Sequence, residues 1–184
     1  MNDDAHASED QGKPAFGAYI GRFSPMHLGH EHLIRAMLKE FGENHLVLIG
    51  SCSHEISFRH LFSLTDRTGF MRQVFPDARI VGLPDFDTDD DWFHQLDSTL
   101  ALAGADPNQV VFAGGCVEDI SFFVERGRKT HILNRFSGET PRVSATEVRD
   151  ALIEHRPITG LVNDVLVDPI TEQFRKRWAA LRKK

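Results

Sequence analysis

The feature that most constrains this 184-residue sequence is a regular alternation of short apolar segments with longer segments of helical periodicity. The apolar segments lie at 16–20, 45–51, 78–83, 109–114 and 129–133. Each has the length of a strand, and strands that are apolar on both faces are typical of a parallel sheet covered by helices on both sides. The alternation therefore predicts a doubly wound α/β fold, with about five parallel strands and helices on both faces.

The segments between the strands predict helices, and some of their ends carry capping signals. We expect helices at 28–41, 63–75, 89–104, 145–155 and 169–184. Ser63 and Asp66 have the spacing of a capping box, and Gly104 follows the last periodic residue of its helix. No helix is assigned between the fourth and fifth strands. In a doubly wound sheet, ligands bind beyond the carboxyl ends of the strands, so the residues that follow each strand are the candidates for a functional site.

Composition excludes several classes of protein. Hydrophobic residues make up 41% and charged residues 26% of the chain, which is typical of a globular domain, and no apolar run approaches the length of a membrane span. We expect a single domain at 15–184, a disordered acidic tail at 1–14 that lacks the pattern of a signal peptide, and a cytoplasmic protein without a membrane partner. The net charge of −6 argues against a nucleic-acid partner, so the basic segment 174–184 is interpreted as a helix end. Cys52 and Cys116 are expected to be free thiols.

The loop after the first strand, GRFSPMHLGH at 21–30, gathers glycine, arginine and histidine at the start of a helix. Gly21 permits a tight turn, while His27 and His30 are three residues apart and share one face at the helix entry. Three interpretations are open: an anion site built on the free amides of the helix, a metal site, or an ordinary helix start with exposed histidines. The metal site lacks a third ligand, because His32 lies ~200° round the helix from His30 and the sequence contains no HExxH motif.

Two segments of the sequence together resemble a known family. GRFSPMHLGH is similar to the GRFxPxHxGH form of the HxGH motif in archaeal-type nicotinamide-nucleotide adenylyltransferases of the nucleotidyltransferase superfamily. VSATEVRDAL, at 143–152, resembles the superfamily's ISSTxIR motif, although in isolation it is better explained as a capped amphipathic helix with Arg149 facing solvent. With the segments at 50–67 and 84–92, the resemblance runs over roughly residues 16–155, which is most of the chain. The resemblance implies a Rossmann-like nucleotidyltransferase fold.

The resemblance also implies a reaction and a set of site residues. The reaction is transfer of AMP from ATP, with Mg²⁺ arriving on the ATP, to nicotinamide mononucleotide, which gives NAD and pyrophosphate. The implied catalytic residues are His27, His30 and Arg149. The implied ligands of ATP and its phosphates are Gly21, Arg22, Phe23, Gly29, Arg59, Ser144 and Thr146. The implied nicotinamide-binding residues are Asp85, Phe86 and Trp92, although Trp92 is also compatible with a core position on an amphipathic helix. We expect no resident metal site, and the resemblance suggests a homo-oligomer.

Departures from the family pattern leave alternatives open. Ser24 stands where Gln is frequent, and Asp89, Asp90 and Asp91 occupy a loop in which family members commonly carry Asn. If these three aspartates face the pyridine ring of the acceptor, their carboxylates repel the carboxylate of nicotinate and so favour nicotinamide. The alternative is that they form a solvated helix start, which the helix dipole favours. The alternative functions are transfer of a nucleotide to nicotinate mononucleotide, phosphopantetheine or phosphocholine, and nucleotide sensing without catalysis.

Overall fold

The computed structural model describes residues 15–57, 59–133 and 142–182. The predicted tail at 1–14 lies outside the described residues. The strands are β1 Phe16–Gly21, β2 His45–Ile49, β3 Ile80–Gly82, β4 Val110–Gly114 and β5 Lys129–Ile132. The helices are α1 Leu28–Phe41, α2 Leu64–Val74, α3 Asp89–Leu102, α4 Val117–Glu125, α5 Ala145–Ile153 and α6 Val167–Leu181, with a 3₁₀ turn at Asp164–Leu166.

The strands form one parallel sheet in the order β3-β2-β1-β4-β5. β1 is the central strand, and its Ala18 lies opposite Leu46 of β2 on one side and Phe112 of β4 on the other. The chain therefore winds away from β1 in one direction through β2 and β3, and in the other through β4 and β5. This topology confirms the predicted doubly wound, Rossmann-like fold. It leaves a crevice at the carboxyl ends of β1 and β4, where ligands bind in sheets of this kind.

Apolar side chains cover both faces of the sheet. Successive residues of β1 point to opposite faces, so Tyr19 belongs to the core that includes α1, α2, α5 and α6, while Ala18 belongs to the core that includes α3 and α4. The first core contains Leu33, Met37, Met71, Val148 and Ile170, and the second contains Phe93, Leu96, Phe112 and Phe123. Burial on both faces explains why the central strands are apolar along their whole length.

One helix in the structure, α4, has no counterpart among the predicted helices. α4 has nine residues, and its N-cap residue, Cys116, makes no side-chain capping hydrogen bond, so the local signal for a helix is weak. α2, in contrast, starts with the predicted capping box: the Ser63 amide donates to Asp66 Oδ2 at 2.9 Å, and the Asp66 amide donates to Ser63 Oγ at 3.2 Å. β3 has three residues, fewer than the predicted 78–83, because it is an edge strand that pairs only with β2.

The structure also gives the state of the two cysteines and the hydropathy of the helices. Cys52 and Cys116 are both free, as expected. Among the described helices, none combines the length and the hydropathy that a membrane span requires.

Candidate active site

A cleft of about 330 Å³ opens at the crevice between β1 and β4. This volume lies within the range of small-molecule sites, roughly 300–1,000 Å³. The loop after β1 contributes four predicted site residues to its wall: Arg22, Phe23, His27 and His30. Later segments contribute four more: Arg59, Ser144, Thr146 and Arg149. The fold thus brings the two motifs, which are more than a hundred residues apart in the chain, to one site.

His27 and His30 form a stacked pair at the start of α1. His27 is the N-cap residue, and the two ring centroids are 3.7 Å apart. The Nδ1 atom of each ring accepts the backbone N–H of the other residue, at 3.4 Å in both cases. Because Nδ1 is the acceptor, the proton of each neutral ring lies on Nε2, which makes Nε2–H the donor that each ring can present to an anion.

The burial of this pair bears on the three interpretations of the loop. His27 is only 3% exposed, and the His30 ring packs edge-on against Phe23 with its centroid at 4.8 Å, so neither is a freely solvated helix-start histidine. Within the described ranges, no group of three or more His, Cys, Asp or Glu side chains is arranged to hold a metal ion. The arrangement matches an anion site, in which imidazole donors stand beside the free amides of a helix N-terminus.

Three arginines surround the cleft with positive charge. Burial, and then the positive charges of Arg22 and Arg59, lower the pKa of Arg149 from its ordinary value. Burial and the charge of Arg59 likewise lower the pKa of Arg22. The positive charges that lower the pKa of Arg149 and Arg22 repel these two guanidinium groups, and a bound polyanion relieves that repulsion. The electrostatics therefore favour a substrate with several phosphates.

Arg149 joins the first turn of α5 to the loop after β1. Its Nη1 donates to the Ser24 carbonyl at 2.7 Å, and its Nη2 donates to Thr146 Oγ1 at 3.0 Å. Ser144 caps α5 by accepting the Glu147 amide at 3.1 Å. Arg149 is therefore half-buried in the cleft rather than on a solvent face, which is the alternative that its segment suggests in isolation.

A fourth arginine, Arg67 of α2, connects the loop after β1 to the loop after β2. It is 3% exposed. Its Nη1 donates to the carbonyls of Arg22 and Gly50, each at 2.8 Å, and its Nη2 donates to the Ser51 carbonyl at 3.1 Å. Phe23 and Ser51, which follow two of these carbonyls, have φ values of 49° and 50°, in the left-handed region. Arg67 thus fixes a backbone that side-chain-bearing residues rarely adopt.

Two predicted glycines lie beside the cleft wall. Gly21 is the last residue of β1, and a Cβ there would lie 2.8 Å from Phe23 Cζ, so glycine lets the Phe23 ring fold back over the strand end. Gly29 is buried in the first turn of α1.

The predicted nicotinamide-binding residues lie outside the cleft lining. Asp85 follows β3, where its amide donates to Ser53 Oγ at 3.3 Å. Phe86 is exposed. Trp92 packs edge-on against Phe93 and Phe122, with ring centroids 5.3 and 5.7 Å away, as the core alternative for this residue requires. A ring-binding role for these three residues stays a prediction.

The acidic run at the start of α3 is accounted for by helix capping and an ion pair. Asp89 and Asp90 lie 3.8 and 2.7 Å from Arg126, and Asp91 accepts a hydrogen bond from the Thr88 hydroxyl at 2.6 Å. These contacts agree with the solvated helix start, and they leave the argument for nicotinamide over nicotinate without structural support.

Five residues of the cleft lining are absent from the predicted set: Tyr19, Ile20, Ser24, Asp119 and Ala145. Ser24 and Asp119 are the two whose side chains bear on the chemistry of the site. Ser24 is 3% exposed, and its Oγ has no hydrogen-bond partner among the described residues. Its departure from the family pattern was a signal, but nothing local shows that it is buried. Asp119 lines the cleft from α4, and no local signal indicates it because the sequence does not predict that helix.

The family model described as cytidylyltransferase-like matches residues 18–151. The chain belongs to the cytidylyltransferase-like family. The match runs from β1 to α5 and so contains both motifs of the cleft.

Curated relatives of this family member include archaeal enzymes. The nicotinamide-nucleotide adenylyltransferase of Pyrococcus horikoshii is 26% identical over 162 residues, which cover 85% of this chain and 82% of that protein. The enzyme of the same name from Pyrobaculum neutrophilum is 28% identical over 146 residues, covering 76% and 77% of the two chains.

Solved structures support the fold. A bifunctional NMN adenylyltransferase/ADP ribose pyrophosphatase from Francisella tularensis, complexed with AMP and a Mn ion, superposes with a TM-score of 0.72 at 20% identity. The alignment covers 91% of this chain and 52% of that one, so the present chain spans about half the length of the bifunctional protein. A NadR protein in complex with NAD and AMP-PNP has a TM-score of 0.60 at 22% identity, over 84% of this chain and 46% of that one.

Proposed function

We propose that the protein is a nicotinamide-nucleotide adenylyltransferase, which transfers AMP from ATP to nicotinamide mononucleotide and releases pyrophosphate to give NAD. The observation that carries this proposal is the convergence of the histidine pair of α1 and the capped first turn of α5 on one cationic cleft, joined by the 2.7 Å hydrogen bond from Arg149 to Ser24. The names of the archaeal relatives, which align over most of the chain, indicate the acceptor.

In this reaction, bonds form and break between the two substrates, and the protein takes little covalent part. An oxygen of the mononucleotide phosphate forms a bond to the α-phosphorus of ATP, and the bond from that phosphorus to the bridging oxygen of pyrophosphate breaks. A phosphate monoester is already anionic near neutral pH, so the nucleophile requires no general base. The protein lowers the barrier by aligning two anions and stabilising the charge that develops on the transferred group.

Different residues of the cleft stabilise the developing charge and align the two anions. The Nε2–H donors of His27 and His30 stabilise the α-phosphate oxygens and the leaving pyrophosphate. Arg22, Arg59 and Arg149 hold the triphosphate and the acceptor phosphate, because a guanidinium group can donate to two phosphate oxygens at once.

The backbone and hydroxyl groups complete the phosphate site. Ser144 and Thr146 contribute the capped N-terminus of α5, and Gly29 lies in the amide-rich first turn of α1. Gly21 and Phe23 shape the floor of the cleft, since the Phe23 ring packs against His30.

Mg²⁺ is the divalent ion that we propose for the reaction. The Francisella structure contains a Mn ion with AMP, which supports the use of a divalent metal in a protein of this fold. One carboxylate, that of Asp119, lines the cleft within the described residues, and one carboxylate does not make a cage for the ion. The ion would therefore be held mainly by the phosphates of ATP and by water, as Mg²⁺ commonly is.

The nicotinamide ring would lie toward β3. Asp85, Phe86 and Trp92 follow β3 in the chain, at the same carboxyl edge of the sheet as the cleft. Support for this placement comes from the contact between Asp85 and the loop after β2, where His54 Nε2 lies 3.5 Å from Asp85 Oδ2.

A substrate panel tests the proposal. Pyrophosphate release is measured with ATP or CTP, Mg²⁺ and one acceptor at a time: nicotinamide mononucleotide, nicotinate mononucleotide, phosphopantetheine or phosphocholine. We expect the highest kcat/KM with ATP and nicotinamide mononucleotide. A higher kcat/KM with another acceptor would replace the proposed substrate, and ATP binding without pyrophosphate release from any acceptor would identify a nucleotide sensor.

A further inference from the structure

We propose that a second cavity binds a small organic anion with an apolar body, and that its occupancy strengthens nucleotide binding in the cleft. This α5–α6 cavity is lined by the end of α5, by residues 155–159 and by α6, and it has a volume of about 280 Å³. It shares no lining residue with the cleft between β1 and β4. The site is therefore distinct from the one to which adenylyl transfer is assigned, and its existence does not depend on that reaction.

The floor of the α5–α6 cavity is apolar. Leu152 of α5, Ile158 and Phe174 of α6 line it, and these side chains are only 5%, 1% and 3% exposed. Val167, in the first turn of α6, and Pro157 extend the apolar lining. Water gains little from contact with such a surface, so the floor favours a ligand with an apolar body.

The rim of the α5–α6 cavity is basic. His155, Arg156 and Arg175 are exposed side chains of its lining, and no Asp or Glu is among the described residues that line it. Glu154 already pairs with Arg156, whose Nε lies 2.6 Å from Glu154 Oε2. The groups of the rim that a ligand can engage are therefore the Arg175 guanidinium and the His155 imidazole.

Arg175 has no acidic partner within residues 15–57, 59–133 and 142–182. The acid nearest to it along α6, Glu172, pairs instead with Lys176 at 2.8 Å. A guanidinium group without a partner, beside an apolar floor, can donate two parallel hydrogen bonds to a carboxylate or a phosphate. The net charge of the whole chain is −6, so this basic rim is a local feature rather than a general one.

The backbone of His155 gives independent support for a ligand. α5 ends in a Schellman motif, in which the Arg156 amide donates to the Ala151 carbonyl at 2.7 Å and the His155 amide donates to the Leu152 carbonyl at 3.3 Å. His155 has a φ of 56°, at the position where this motif usually carries glycine. Strained residues of this kind cluster at ligand sites, and the strain here places an imidazole on the rim of the cavity.

The chain that lines the α5–α6 cavity continues into hydrogen bonds with the start of α1, where the histidine pair of the cleft lies. The Leu161 carbonyl accepts the Leu28 amide at 3.0 Å. Asn163 Nδ2 donates to both carboxylate oxygens of Glu31, each at 3.1 Å. Leu28 and Glu31 lie on either side of His30 in the first turn of α1. A ligand that orders residues 155–163 therefore also restricts this turn, and a nucleotide then loses less freedom when it binds there.

Calorimetric titration of the full chain with phenyl phosphate tests the site. A non-hydrolysable ATP analogue fills the cleft during the titration, so that the probe does not bind there. Inorganic phosphate, which lacks the apolar body, and benzyl alcohol, which lacks the charge, are titrated in the same way. We expect one phenyl phosphate to bind per chain, and each of the other two probes to bind at least about tenfold more weakly.

Two variants assign the binding to the rim. Arg175→Gln and His155→Gly should each weaken phenyl phosphate binding by roughly 10–100-fold and about 3–10-fold, respectively. Urea denaturation of His155→Gly should show equal or higher stability, because glycine adopts a positive φ without strain, so lost binding there does not come from a damaged fold. The matched control is Lys176→Gln, since Lys176 is the exposed neighbour of Arg175 on α6 and lies outside the cavity lining. We expect it to bind the probe as the wild type does.

The link to the cleft is measured as the dissociation constant of the ATP analogue with and without saturating phenyl phosphate. We expect the probe to lower this constant by about fivefold in the wild type and in Lys176→Gln, and not in Arg175→Gln. No binding of phenyl phosphate to the wild type, or unchanged binding in both rim variants, would overturn the site. Binding that leaves the affinity for the analogue unchanged would overturn the link. Dissociation of an oligomer by Arg175→Gln in light scattering would also overturn the site, because the cavity would then be an interface between copies of the chain.

Discussion

Replacing Arg67 by methionine tests whether the shape of the cleft is fixed by a buried arginine beneath it. The substitution keeps an unbranched side chain but removes the guanidinium donors to the Arg22, Gly50 and Ser51 carbonyls, at 2.8, 2.8 and 3.1 Å. A hydrogen bond from a charged donor contributes about 1.5–3 kcal/mol, and such contributions do not add fully. With the side chain 97% buried, water replaces few of the lost donors. We therefore expect the free energy of unfolding to fall by about 3–5 kcal/mol.

The same substitution should impair catalysis in the fraction of molecules that remains folded. Two of the three carbonyls precede Phe23 and Ser51, whose positive φ values relax easily once the donors are gone. Small displacements of positioning groups cost up to roughly 100-fold in rate, so we expect kcat/KM for ATP to fall by about 10–100-fold at a temperature where the variant is folded. Arg67→Lys should recover only part of both effects, because one ammonium group cannot reach three separate carbonyls in the guanidinium geometry.

Urea denaturation followed by circular dichroism gives the free energy of unfolding, and pyrophosphate release gives kcat/KM. The control is Arg72→Met, which removes an arginine of the same helix that donates to the Pro76 and Ala78 carbonyls from a mostly exposed position away from the cleft. We expect the control to lose about 1 kcal/mol or less and to keep its activity. A loss below about 1 kcal/mol in Arg67→Met, or wild-type kcat/KM in its folded form, would refute the reasoning.

Three further substitutions probe the site and its surroundings. His30→Ala should lower kcat by roughly 10²–10³-fold with a smaller change in ATP affinity, and near-wild-type turnover would contradict its role. Ser24→Ala removes a buried hydroxyl without a partner in the described structure, so urea unfolding should show equal or slightly higher stability while calorimetry shows weaker ATP binding; unchanged binding would exclude a phosphate contact. Burial and the charge of His54 lower the pKa of His60 below its ordinary value of 6.5. Below pH 6.5 the unfolded chain therefore binds more protons than the folded one, and the free energy of unfolding falls as the pH drops. His60→Gln should flatten this pH dependence when urea denaturation is repeated at a series of pH values.

The features that sequence reasoning recovered are those with local signals. The apolar runs predict strands because both faces of the sheet are covered, and Ser63 with Asp66 predicts the start of α2 because a capping box depends on four consecutive residues. The convergence of the two motifs was also predictable in outline, since the carboxyl ends of parallel strands meet at one edge of a sheet.

The features that sequence reasoning missed depend on contacts across the fold. Arg67 fits the family pattern in the segment 50–67, but it lies 45 residues from Arg22 and 17 from Gly50, so no pattern in α2 shows that its guanidinium is buried among carbonyls. Asp119 was missed because the helix that carries it is short and lacks a side-chain cap. Trp92 has a spacing that matches the ring-binding segment of the family, and its aromatic neighbours are Phe93 of its own helix and Phe122 and Phe123 of α4, which no local pattern shows. Its ring-binding role stays a prediction.

The two arginines act together on the loop after β1. Arg67 reaches the Arg22 carbonyl from α2, and Arg149 reaches the Ser24 carbonyl from α5, so two helices hold the same three-residue segment. A charged donor at each end of the segment fixes its peptide planes without a nucleotide, and the adjacent histidine rings are fixed by their own backbone hydrogen bonds. Donors that are already oriented need no reorganisation when charge develops on the α-phosphate, which is the condition under which electrostatic stabilisation contributes most to rate. The stability that Arg67 contributes and the rate of adenylyl transfer are therefore linked through one loop, and the unfolding and kinetic measurements on Arg67→Met should change together.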